Sequence, residues 1–484
     1  MIMESNSTST EEQPQVSDVS NFDKWRYYTD GLTSPDSFVN FGWYWLISAC
    51  LQRRVWCPPS HMPIFPCQFI TFVADPGVGK GLVTSRLSML LKQHKMSDPT
   101  QRTTTITGNK ETGQILSIDR QVAEEAARID FNTANVEEGR GSMDSSHRRN
   151  YEKPLLFPMA ADATTYEALI LAIGRSLRRK DYYEYDEKLG RNITKIYTHS
   201  SIAFCLEEVS SVFKKKTEDV MTFLQQGYDC GDYKKDTKTQ GIDRIQKCCI
   251  NLIGGTTPNT MRRLFGNNLL NEGYASRSIF LYEVKDRKTA LFIPELNDTQ
   301  RQYEKDILEH IKKLSQLYGQ VTMSGETIEW LEDWWKRVQL QRVNVNEKLL
   351  DYYARKKIHA IKMGVAIHFS ESTDMFIKLE CFQRAIKMLD EVEKRMHHAL
   401  ITVTDNPYYS LGKKIIGYLT DPIVGAKSEK ELAAKFWEQL PTNDPKEALR
   451  KTLEHYLVIG KIGCVVEKGI SYYSVIKEKE SSET

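Results

Sequence analysis

Residues 74–81 read Ala-Asp-Pro-Gly-Val-Gly-Lys-Gly, a turn holding three glycines and a lysine. An apolar run, Pro66 to Ala74, leads into it, and a helical pattern (LVTSRLSMLLKQ) follows. Strand, glycine loop and helix in that order are the context in which such a turn grips phosphate. Gly77 and Gly79 let main-chain N–H groups turn inward around phosphate oxygens. The helix N-terminus adds its positive end, and Lys80 brings a point charge to the β- and γ-phosphates. Asp75, Pro76, Gly77, Val78, Gly79, Lys80, Gly81 and Leu82 are therefore expected to cradle ATP. Two positions depart from the G-x-x-x-x-G-K-S/T pattern. Ala74 replaces the first glycine, and Gly81 stands where a hydroxyl would touch Mg²⁺, leaving the ion to Thr84, to water or to acids elsewhere.

Such acids close the apolar strand Ser201–Leu206, which runs straight into Glu207-Glu208. A nucleotide hydrolase needs one acid for the Mg²⁺ shell and another to orient or deprotonate water. Glu207 is assigned to the metal and Glu208 to the water. A second apolar strand, Lys247–Ile253, closes on Gly-Gly-Thr-Thr-Pro, so Thr256 or Thr257 could meet the γ-phosphate. Arg277, in Ala-Ser-Arg-Ser at a strand start, could reach a neighbouring subunit's γ-phosphate as an arginine finger, which implies a ring. Arg355, at the opening of a later helix, is a candidate sensor.

The elements that must position these residues occupy a chain of 484 residues, enough for about three domains. Lys plus Arg number 66 against 64 Asp plus Glu, so no global basic field advertises nucleic acid. The hydrophobic share of 40% and charged share of 27% are ordinary for a soluble globular chain. The longest apolar run, Phe41 to Leu51, falls short of the ~20 residues a spanning helix needs. Residues 1–20 lack Lys, Arg and an apolar core, so a disordered tail is expected rather than a secretory signal. Nine cysteines, scattered without C-x-x-C or Cys/His ligand spacing, fit reduced buried thiols and a cytoplasmic location.

The expected organisation is an N-terminal helical segment (21–65), an α/β ATPase core (66–290) with a polar insertion (95–150), and a helical lid (291–404). A winged helix (405–478) and a short tail (479–484) follow. Alternating strands and helices predict a mostly parallel sheet covered on both faces. Helices followed by a ribbon turning at Lys468-Gly469 give the winged-helix expectation. Arg178-Arg179-Lys180 and Lys214-Lys215-Lys216 read as solvated helix ends.

Taken in order, SPDSFVNFGWYWLISACLQRRVW, PCQFITFVADPGVGKG, DATTYEAL, FCLEEVSSVF, LIGGTTP, GYASR and YARKKIHAIKMG resemble phage and plasmid replication ATPases of the primase-helicase type. The resemblance spans roughly residues 33–400. More distantly, ADPGVGKG and GYASRS are similar to segments of minichromosome-maintenance helicases. It implies a P-loop NTPase fold (AAA+ or RecA-like) with Lys80 as the phosphate-loop lysine, Glu207 and Glu208 as the strand acids and Arg277 as the finger. It also implies a hexameric ring acting on single-stranded and forked DNA. No primase signature is present.

Residues 227–246 fall where that superclass projects a hairpin into the ring's pore. Lys234, Lys235 and Lys238, with Tyr228 and Tyr233 nearby, are a mixture suited to phosphates and base faces. The winged helix offers Lys446, Arg450, Lys451, Lys461 and Lys468 to duplex backbone. The leading expectation is thus an ATP-dependent DNA helicase of a mobile element, with no membrane partner. Two alternatives stand beside it: a packaging-type translocase that never separates strands, and a winged-helix origin or regulatory protein with a degenerate nucleotide site.

Overall fold

The computed structural model describes residues 19–476 apart from 59–62, 96–154, 162–165, 187–188, 213–216, 238–240, 262–272, 285–291, 342–348, 402–406, 422, 438–439 and 441–443. The polar insertion, apart from residue 95, the C-terminal tail and Lys214–Lys216 lie outside the described residues, as do residues 1–18 of the expected N-terminal tail.

The strands in chain order are β1 (Val55–Trp56), β2 (Phe69–Val73), β3 (Leu177–Asp186), β4 (Arg191–Leu206), β5 (Tyr233–Thr237), β6 (Gly241–Ile245), β7 (Cys248–Thr256), β8 (Ser278–Tyr282), β9 (Gly319–Gln320), β10 (Lys427–Ser428), β11 (Ile462–Glu467) and β12 (Ile470–Val475). Five of them form the central sheet in the order β3-β4-β7-β2-β8. β4, β7, β2 and β8 run parallel. Every residue of β2 and β7 is buried, which is why both read as unbroken apolar runs.

β3 departs from the expected parallel layout. It folds back antiparallel on the first half of β4, so that Leu177 faces Ser200 and Asp186 faces Arg191. Arg178, Arg179 and Lys180 therefore lie in a strand and not at a helix end. Arg178 is buried and donates to the carbonyl oxygens of Leu177 and Leu155. At the other end of β4, a parallel bridge from Met159 to Ala203 covers the edge that β3 leaves.

The helix Asp36–Leu51 is apolar around its circumference and lies in the core, with Trp43 and Trp45 fully buried. No helix among the described residues is long and apolar enough to cross a membrane. The helices expected after residue 291 appear as Asp298–Leu314, Gly325–Gln341, Leu350–Glu371 and Leu379–Ile401. They share one core with the sheet, and residues 1–403 form a single compact unit.

A second unit covers residues 404–484. It contains the helices Pro407–Thr420, Glu429–Lys435 and Pro445–Val458, and the antiparallel sheet β10-β12-β11. Its own core gathers Leu411, Ile415, Leu432, Leu449, Leu453 and Ile462. A capping box of Ser428 with Glu431 and a capping Asp444 ahead of Pro445 start two of these helices.

Candidate functional site

The chain leaves β2 at Val73 and turns into the helix Lys80–Gln93. Gly77 (φ +90°) and Gly79 (φ +71°) occupy the left-handed region that side chains avoid. At Gly79 a Cβ would also lie 2.9 Å from the Ser34 Cα. That close approach is used: the Ser34 hydroxyl donates to the Gly79 carbonyl oxygen at 2.6 Å. Lys80 spans the turn, its ammonium donating to the carbonyl oxygens of Ala74 (2.6 Å) and Asp75 (2.9 Å). Partial burial lowers the Lys80 pKa, against the opposing pull of Glu208 and Asp75.

β7 lies between β2 and β4, so the loop and the acidic strand end flank Gly254-Gly255-Thr256. A Cβ on Gly255 would sit 2.9 Å from the Glu207 carbonyl oxygen and 3.1 Å from Lys80 Cβ. Only a residue without a side chain lets the two segments come this close. Glu207 is exposed, and Glu208 is half-buried. The Glu208 carboxylate accepts from the Ser210 N–H at 3.4 Å and caps the short helix Val209–Ser211.

Two of the three candidate hydroxyls are engaged locally. Thr257 is committed to its own turn: its hydroxyl donates to Thr260 Oγ1 at 2.9 Å and accepts from the Thr260 N–H at 3.1 Å. Thr256, fully buried at the end of β7, has no partner for its hydroxyl among the described residues. It is the better placed of the pair beside the loop. Thr84, proposed from sequence as a stand-in for the missing hydroxyl at Gly81, is buried and donates back to the Gly81 carbonyl oxygen at 3.1 Å. It faces its own helix, as helical threonines do.

The arginines gather elsewhere. Arg277 closes the one-turn helix Tyr274–Arg277 immediately before β8, rather than opening the strand. Its Nε donates to Asp229 at 3.2 Å and its Nη1 to the Gly273 carbonyl oxygen at 2.8 Å. Arg355 donates to the other oxygen of Asp229 at 3.1 Å. Ser278 is the partner of Phe69, at the start of β2, whereas the loop leaves the end of β2. Both arginines thus sit about one strand length, ~16 Å, from the loop of their own chain. A sensor contact from Arg355 to nucleotide within one chain does not fit this placement.

β5 and β6 form the hairpin expected between the acidic strand's helix and β7, pairing Lys234 with Arg244 and Lys235 with Asp243. Lys238 lies outside the described residues. Tyr233 does not serve as a stacking platform: it is buried, hydrogen-bonded to the Tyr166 hydroxyl and packed edge-on against Phe223 at 4.8 Å. Tyr228 is buried as well. The Tyr233 ring anchors the base of the hairpin as the first residue of its strand, whereas Tyr228 packs on Phe69 at 5.1 Å.

No sequence signal marks Ser34 or Asp229, which act 45 and 48 residues from the Gly79 and Arg277 groups they hold. Ser37, one turn beyond Ser34, lines a cavity of about 630 Å³ together with Asn40, Tyr282, Glu283 and Arg384. The Glu283 N–H bonds the Val73 carbonyl oxygen at 3.1 Å, which places this cavity next to the exit of β2. No protein family and no curated protein matches the chain.

Proposed function

We propose that this chain is a P-loop ATPase that drives movement along DNA, working as a ring whose subunits share nucleotide sites. The observation that carries the reading is the approach of Lys80 and Glu207 across Gly255. A lysine for phosphate, an exposed carboxylate for Mg²⁺ and a second carboxylate for water fall at neighbouring strand ends, the combination phosphoryl transfer requires. Gly77 and Gly79 supply the inward amides. Thr256, whose hydroxyl lacks a partner among the described residues, would meet the terminal phosphate in place of Thr257. The cavity beside Ser37 has the size and mixed lining of a base pocket.

Arg277 and Arg355 support a shared site. Two guanidiniums on one carboxylate leave excess positive charge at the end of the sheet opposite the loop. That charge suits a neighbour's γ-phosphate and cannot serve the chain's own. The β5–β6 hairpin, with Lys234 and Lys235 in its sequence, would meet single-stranded DNA, and the second unit, read as a winged helix, would offer a duplex contact.

The test is turnover with and without single-stranded DNA, run beside two variants. Lys80→Ala should lose nucleotide binding. Glu208→Gln should keep it and lose hydrolysis by the 10²–10⁴-fold typical of a missing general base. Normal hydrolysis by Glu208→Gln refutes the site. Turnover that ignores DNA refutes the motor, and displacement of a strand from forked DNA separates a helicase from a translocase.

A further inference from the structure

At the end of the sheet away from the loop, three thiols from distant parts of the chain meet. Cys67 precedes β2, Cys230 follows the helix Thr217–Tyr228, and Cys249 is the second residue of β7. All three are buried, and their sulfurs lie within 4.8 Å of one another, Cys67 and Cys230 at 3.4 Å. Tetrahedral zinc thiolates, with Zn–S near 2.3 Å, hold their sulfurs about 3.8 Å apart. The cluster is within a small adjustment of that spacing.

A buried cation stands against it. Lys362, 3% exposed on the helix Leu350–Glu371, donates to Cys67 Sγ at 3.1 Å and to the Tyr228 carbonyl oxygen at 3.0 Å. No carboxylate pairs with this ammonium among the described residues. Metal binding deprotonates its thiol ligands, and an ammonium at Lys362 then faces sulfur that carries the compensating charge. The charge count then selects the guest: three thiolates around a divalent ion leave one negative charge, which Lys362 cancels. A monovalent ion would leave a net charge in the core. The Tyr228 carbonyl oxygen accepts from Lys362 and from the thiols of Cys67 (3.0 Å) and Cys230 (3.7 Å), so it lies against the cluster. Cys230 holds an unfavourable left-handed backbone (φ +58°).

We propose that Cys67, Cys230 and Cys249 bind a structural zinc ion, with Lys362 as the charge-balancing hydrogen-bond donor to Cys67. The ion would tie β2, β7, the turn at Cys230 and the helix of Lys362 into one knot, and would fix Asp229, the neighbour of Cys230 in the chain. Buried thiols that merely pack are the competing account.

Elemental analysis of the full-length protein decides between them. Stoichiometric zinc is expected in the wild type and in Cys464→Ser, which alters an exposed cysteine, and loss to background in Cys67→Ser and Cys249→Ser. Should those variants fail to fold, wild-type protein produced in cobalt-supplemented minimal medium should show sulfur-to-cobalt charge-transfer absorption. Zinc-free wild type that also shows no cobalt–thiolate band overturns the proposal. So does a Cys67–Cys230 disulfide found by mass spectrometry in freshly purified protein.

Discussion

Gly255 and Gly79 are the residues whose missing side chains bring the candidate chemistry together. Replacing Gly255 by alanine sets a methyl group against the Glu207 main chain and Lys80. The expected cost is about 1–3 kcal/mol of stability, with a larger loss of turnover than of nucleotide binding. Thermal unfolding and steady-state hydrolysis measure the two effects, and a wild-type rate would show that the close approach is irrelevant to catalysis. Lys80 makes a pH prediction. Its pKa is lowered by burial, so its ammonium, and with it phosphate affinity, is present below that pKa and lost as pH rises through it, earlier than for an ordinary lysine at 10.5. Nucleotide titrations at increasing alkalinity, compared with Lys80→Arg, should show the early decline only in the wild type. The loop glycines, Lys80 and the twin glutamates were legible because each signal is contiguous. Thr256 was not separable from Thr257 by sequence, since only the strand's end decides which hydroxyl turns inward and which caps.

Among the elements, the one-turn helix at Arg277 and the long helix at Arg355 converge on Asp229. If the arginines serve a neighbour's nucleotide, subunits lacking Arg277 and subunits lacking Lys80 should complement each other. A mixture of Arg277→Ala and Lys80→Ala proteins is expected to recover hydrolysis that neither shows alone; no recovery at any mixing ratio would place the arginines outside the site. The hairpin β3–β4 escaped sequence reading for a physical reason. Leu177–Asp186 is crowded with charge and tyrosine and has no apolar face, because most of this ribbon extends past the covered part of the sheet. Tyr183 and Ile196 remain largely exposed on it. By contrast β2 and β7, buried on both faces, announced themselves by composition alone.

For the molecule as a whole, buried neutral histidines set its response to acid. His359 is held near a pKa of about 3 by burial, with its Nε2 against the Ser276 carbonyl oxygen at 2.9 Å. Burial also lowers His199 and His310. In the unfolded chain each takes up a proton near pH 6.5, so below that value the unfolded state binds more protons and stability falls. For His359 the window runs from about pH 6.5 down to about 3. Each such histidine steepens the fall by up to ~1.4 kcal/mol per pH unit. Denaturant melts between pH 7 and pH 5 should show the slope, and His359→Gln should flatten it. The fusion of the later helices with the sheet core was not legible in the sequence, which reads them as a separate lid, because contacts such as Lys24 to Asp306 join segments almost three hundred residues apart.

The hydrogen bond from Ser34 to Gly79 makes the first described helices custodians of the loop. The preceding helix, Asn21–Tyr28, is itself moored to Glu371 through the N–H groups of Asn21 and Phe22, and reaches the loop's helix through Tyr28 and Arg86. Shortening the chain past Ser34 would therefore remove the support of this turn, and on the proposed function weaken nucleotide binding, while leaving every letter of ADPGVGKG in place.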